Sequence, residues 1–129
     1  MPMTFTIRRP VIRIVTKGDV EYNTGLSQLK AALEEARLHH PETPLWDLLF
    51  DVTESRETRS GDELRGIAMA LAQQTHMLTG RMAVVAGDPF LHSQGEVFGV
   101  FAEKLGKAPR VFSNRREAEA WLRNPDDSK

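Results

Sequence analysis

No cysteine occurs among the 129 residues. Disulfides, thiolate nucleophiles and Cys-ligated zinc are excluded together, and the composition suits a reducing cytosol. Net charge is nearly absent as well: 17 basic residues face 18 acidic ones, for a formal charge of −1. No overall field draws the chain to nucleic acid or to an anionic membrane. Long apolar runs are also missing, and none approaches the ~20 residues that a membrane span requires. The opening MPMTFTIRRPVIRIV interrupts its apolar residues with arginines and offers no small-residue cleavage site. No secretion signal is therefore expected, and a cytoplasmic location is. The length predicts one domain, over residues 1–123, with NPDDSK at 124–129 as a polar tail.

What is present is a regular alternation of strand and helix patterns. In TFTIRR and VIRIVT, Phe5, Ile7, Ile12 and Ile14 alternate with polar residues, as a half-buried sheet requires. Arg9-Pro10 between them predicts a tight reversal and antiparallel pairing of 4–8 with 11–16. After the turn KGDVEYNTG, Leu26, Leu29, Leu33 and Ala36 make one helical stripe, which HHPETP ends. WDLLFDV and MAVVAG read as nearly continuous apolar strands of a parallel sheet. The helix between them carries Leu64, Ile67, Ala68, Leu71, Ala72 and Leu78 and is predicted to end near Gly80. A third helix starts at Asp88-Pro89, presents Val97, Phe98, Phe101 and Leu105, and stops at Gly106. PRVFSN is a fifth strand. A last helix is capped by Asn114, with Glu117 in capping-box position, and buries Ala118, Trp121 and Leu122. The predicted architecture is α/β, in the order ββαβαβαβα, with right-handed crossovers between parallel strands.

This order, together with VTKGDVEYNTG, LLFDVTES, MAVVAGDP and VFSNRREAEAWL, resembles the STAS domain of anti-sigma-factor antagonists. It is closer still to the uncharacterised bacterial proteins described as stage II sporulation protein AA-like. The resemblance spans roughly residues 4 to 122. It implies a five-stranded mixed sheet with four helices, a fold shared by regulatory phospho-switches, transporter tails and lipid-carrier relatives, so that fold alone selects no role. In the antagonists, a loop after the central strand carries an Asp-Ser-Ser-Gly-type motif whose first serine is phosphorylated. Counting from Asp51 places that position at Ser60. Here Arg59 replaces the preceding aspartate, and Gly61 follows in place of a second serine.

Ser60 has a second reading. Ser60-Gly61-Asp62-Glu63 has the S-x-x-E form of a capping box, with two acidic residues in the first helical turn. Asp51 falls where open α/β sheets place function, but the acidic pair and the lysine of a phospho-acceptor site are absent, Arg115-Arg116 standing in the lysine's place. His39, His40, His76 and His92 show no i, i+4 metal pair. His92-Ser93 near Asp88 lacks a glycine-flanked nucleophile turn. No catalytic residue, metal ligand or cofactor is assigned. Met69, Met77, Met82, Phe90, Phe98 and Phe101 come from neighbouring elements and read either as core or as an adaptable apolar wall for a ligand or partner. Gly95 and Gly99, one turn apart, permit close approach to the third helix. Two functions follow as expectations. The first is a non-enzymatic regulatory or protein-binding module. The alternative is a carrier or sensor of a small, lipid-like apolar molecule held between the second and third helices. The partners to expect are another protein, such a ligand, or a second copy of the chain in a homodimer.

Overall fold

The computed structural model describes residues 3–43, 45–56, 59–74, 78–104 and 108–123. Five strands, β1 (Met3–Arg8), β2 (Val11–Gly18), β3 (Trp46–Ser55), β4 (Leu78–Val85) and β5 (Ala108–Phe112), form one sheet in chain order. β1 pairs antiparallel with β2, from Met3 opposite Thr16 to Arg8 opposite Val11. The remaining neighbours are parallel, with Leu48 opposite Met82 and Val84 opposite Val111. The hairpin and the parallel strands expected from the sequence are thus present.

Helices α1 (Tyr22–His39), α2 (Gly61–Ala72) and α3 (Pro89–Lys104) connect the parallel strands. Strands laid down in chain order with right-handed crossovers put all three connections on one face. Their buried residues share a single core: Leu29, Leu33 and Ala36 of α1, Leu64, Ala68 and Leu71 of α2, Phe98 and Ala102 of α3. Trp46, Leu48, Ile12, Ile14 and Met82 meet them from the sheet. The other face carries α4 (Arg115–Arg123) alone. There Ala118 and Leu122 pack on Val11, Leu49, Ala83 and Val85, with Phe112 and Trp121 at the margin.

Several boundaries differ from the sequence reading. α2 ends at Ala72, and Leu78 is the first residue of β4, paired with Trp46. Apolar spacing alone cannot tell a helix's last turn from the strand that follows. α1 begins at Tyr22, inside the segment read as a turn, because the Glu21 carboxylate accepts from the amides of Asn23 and Thr24, each at 3.0 Å. On α3 the buried stripe is Gly95, Phe98 and Ala102, while Val97 is exposed. Leu105 and Gly106, His76, Met77 and the tail 124–129 lie outside the described residues.

Candidate functional site

The loop from β3 to α2 is tied down at both of its described ends, the Arg56 amide donating to the Gly18 carbonyl at 2.8 Å at the first. Ser60 Oγ accepts from the Glu63 amide, and Glu63 Oε1 accepts from the Ser60 amide, both at 3.1 Å. This reciprocal cap satisfies two amides that no helical carbonyl can reach. One residue earlier, the side chain of Gln94 on α3 grips the Arg59 backbone. Its Oε1 accepts from the Arg59 amide at 3.3 Å, and its Nε2 donates to the Arg59 carbonyl at 2.7 Å. The start of α2 is therefore held against α3. Ser60 itself stays exposed.

The Arg59 side chain turns the other way, toward α1. Its Nη2 donates to the Val20 carbonyl at 2.5 Å, and the guanidinium lies 5.7 Å from the centre of the Tyr22 ring. Tyr22 in turn rests on α2, where a Cβ at Gly66 would collide with its hydroxyl. Glu21 is held below the usual carboxylate range, first by the amides of Asn23 and Thr24 that it caps and more weakly by the positive charge of Arg59.

Among the described residues, the methionine and phenylalanine side chains do not form one wall. Phe98 and Met82 are core, and Phe98 meets Phe50 edge-on at 6.4 Å. Phe101 is half-buried against that core. Met69 and Phe90 are 51% and 55% exposed, on the outer faces of α2 and α3. Helical phase is the reason: eight residues separate Phe90 from Phe98, a rotation of roughly 80° about the axis. Gly95 and Gly99 bring α3 down onto the sheet, since a Cβ at Gly95 would stand 3.1 Å from Val111 Cγ2 and one at Gly99 3.6 Å from Pro109 Cγ.

Asp51 is buried, with β3 continuing four residues past it to Ser55. Its Oδ1 accepts from the Thr53 amide at 3.1 Å and the Thr53 hydroxyl at 2.7 Å, and Oδ2 lies 3.5 Å from Arg115 Nη1. Asp88 caps α3 through the amides of Phe90 and Leu91, so its carboxylate is committed to the backbone rather than to His92. Among the described residues no group of acidic and histidine side chains has metal-binding geometry.

Sequence reasoning missed the charged groups under α4. Arg13 makes a two-point bond to Glu119, at 2.7 and 2.8 Å, and Arg81 Nη2 reaches the fully buried Asp47 at 3.3 Å. The Arg13 bond, aided by Arg115, holds the Glu119 carboxyl below its ordinary value against the opposing effect of burial. The same bond raises Arg13. The available signal was the alternation in WDLLFDV: Asp47, Leu49 and Asp51 share one face, Trp46, Leu48 and Phe50 the other.

A mixed sheet in this order, with three helices on one face and one on the other, is a SpoIIAA-like fold. Among solved structures, the chain is similar to an uncharacterized protein of the DUF3478 family with a SpoIIAA-like fold from Shewanella loihica PV-4. The TM-score is 0.61 at 18% identity, over 93% of this chain and 91% of that one. No protein-family model and no curated protein matches the chain. Among the described residues no helix is long and apolar enough to cross a membrane.

Proposed function

We propose that the chain is a non-enzymatic regulatory module that binds a protein partner through the outer faces of α2 and α3, beside Ser60. One observation carries this reading. Of the six large apolar side chains exposed among the described residues, four, Met69, Phe90, Val97 and Val100, lie on two helices that pack against each other, the others being Leu38 and Leu45. Exposed apolar side chains concentrated in one region of a small domain mark interaction surfaces more often than isolated ones do. The SpoIIAA-like fold is consistent with a role of this kind and does not select it. Ser60 opens α2 next to this surface. A phosphate there would add up to two negative charges where the helix dipole tolerates them, changing the surface without unfolding it.

The test is affinity capture from the native host with wild type and a Phe90→Glu/Val97→Glu variant, alongside native mass spectra of both. A partner retained by the wild type and lost by the variant, at unchanged melting temperature, is the expected result. Identical captured sets would overturn the reading. A wild-type dimer that the variant dissolves would reassign the surface to self-association.

A further inference from the structure

The core under the three helices is not filled. Between the sheet and α1, α2 and α3 lies a cavity of about 150 Å³. Ile14, Phe50 and Val84 line it from the sheet, and Leu29, Ile67 and Phe98 from the helices. Of the described methionine and phenylalanine residues singled out in the sequence, only Phe98 belongs to it. The cavity therefore lies deeper than the space between α2 and α3, against the sheet itself.

Its polar residues gather at one end. Thr16 lies near the end of β2 with its hydroxyl buried, Ser55 closes β3, Tyr22 opens α1, Arg59 immediately precedes the cap of α2, and Gln94 lies in the second turn of α3. Tyr22 is seated on Gly66, and Gln94 fixes the Arg59 backbone, so both are held in place by the contacts described above. The guanidinium of Arg59 is the cation of this end, while the amino-terminal ends of α1 and α2 already hold carboxylates, Glu21 on the first and Asp62 and Glu63 on the second. Of the nearby acids, Glu21 directs its carboxylate to the amides of Asn23 and Thr24, Glu63 to the amide of Ser60, and Asp62 lies 3.8 Å from Arg65.

Volume and chemistry together define a ligand. A hydrocarbon-lined cavity of about 150 Å³ admits a benzene-sized molecule. A ligand group placed at the polar end meets the Arg59 guanidinium, which favours an anion. We infer that this cavity binds a small organic acid whose apolar body is about one aromatic ring in size, with its carboxylate at the Arg59 end. The site is separate from the exposed surface on α2 and α3, and either can be correct without the other.

Phenylacetate is the probe, toluene and 2-phenylethylamine the controls, and methyl resonances in 13C-edited NMR spectra the readout. Phenylacetate and toluene are both expected to shift the methyl signals of Ile14, Leu29, Ile67 and Val84. The amine has the same body and opposite charge, and is expected to bind more weakly than phenylacetate. Arg59→Gln should raise the phenylacetate Kd about tenfold or more, since a hydrogen bond between charged groups is lost, and leave that of toluene unchanged. Val52→Phe adds a ring's volume to the cavity wall and should weaken both. The absence of methyl shifts at saturating phenylacetate and toluene would overturn the site. Equal affinity for phenylacetate and the amine in the wild-type protein would overturn the carboxylate, and that comparison needs no variant to fold.

Discussion

Trp46, Leu48 and Phe50 leave β3 on one side of the sheet, Asp47, Leu49 and Asp51 on the other, and the two faces so made are covered differently. Three helices bury the first with a broad apolar core that still leaves a cavity. One short helix covers the second with two buried apolar side chains, Ala118 and Leu122. Charge supplements that small area: Arg13 with Glu119, Arg115 with Asp51, and Arg81 with Asp47 all lie on this face. A nine-residue helix is marginal in isolation, so its place depends on these contacts. The first face has apolar area in excess and can tolerate a void. The second has little and is fixed by directional bonds.

The two tryptophans give the largest test of this contrast. Trp46 is 1% exposed in the larger core, so Trp46→Ala should cost about 3–5 kcal/mol in denaturant titration. Trp121 is only half-buried, packed on Phe112 of the edge strand β5 with centroids 5.6 Å apart and with the Arg110 guanidinium 6.0 Å from its ring. Trp121→Ala should therefore lose roughly half as much. Equal losses would mean that the α4 face is as well packed as the other.

Next in size is Glu119→Gln, which removes the carboxylate from a part-buried two-point bond and should cost about 1–3 kcal/mol at neutral pH. Its pH dependence follows from the direction of the shift. The folded pKa lies below the ordinary glutamate value of 4.5, so the bond's contribution is complete above 4.5. It is lost as pH falls below 4.5 through the folded value. Wild type should thus lose stability faster than the variant over that acid range. Parallel curves for the two would show that the Arg13–Glu119 bond adds nothing to the fold.

The smallest effects belong to Ser60. Ser60→Ala should lose about 1 kcal/mol, and Ser60→Asp should be nearly neutral, since aspartate also caps and adds a favourable charge. If Ser60→Asp also keeps every partner of the wild type, and no phosphoserine is found in protein from its host, Ser60 is a cap and not a switch.

Much of this was legible in the residues, and unevenly so. Element order, the antiparallel opening pair and the capping box were readable because each rests on neighbours within a few positions: alternation, a turn residue, an S-x-x-E spacing. The α4 face was not, because Arg13 and Glu119 are 106 positions apart and nothing local in either segment announces the other. The start of α1 was missed because glutamate is an uncommon cap. The cavity escaped for a related reason. Its wall draws residues from β1 through β4 and from three helices, and no single segment reveals that their side chains fall short of one another. The apolar residues that looked like a wall in the sequence were separated by helical phase, with Phe98 inward and Phe90 outward.

The sheet's order has a consequence for how the molecule is made. Because β1 to β5 lie side by side in the sequence in which they are written, every strand from β2 onward docks on the one synthesised just before it. A nascent chain meets each pairing partner as soon as both have left the ribosome, and no early strand must wait with an open edge for a distant mate. Only the last step reaches far back, when α4 emerges and Glu119 finds Arg13 on the second strand. Until then the second face of the sheet stands uncovered. Arg13, Asp47 and Asp51, interspersed among Val11, Leu49, Ala83 and Val85, break up the apolar area that this half-built surface shows.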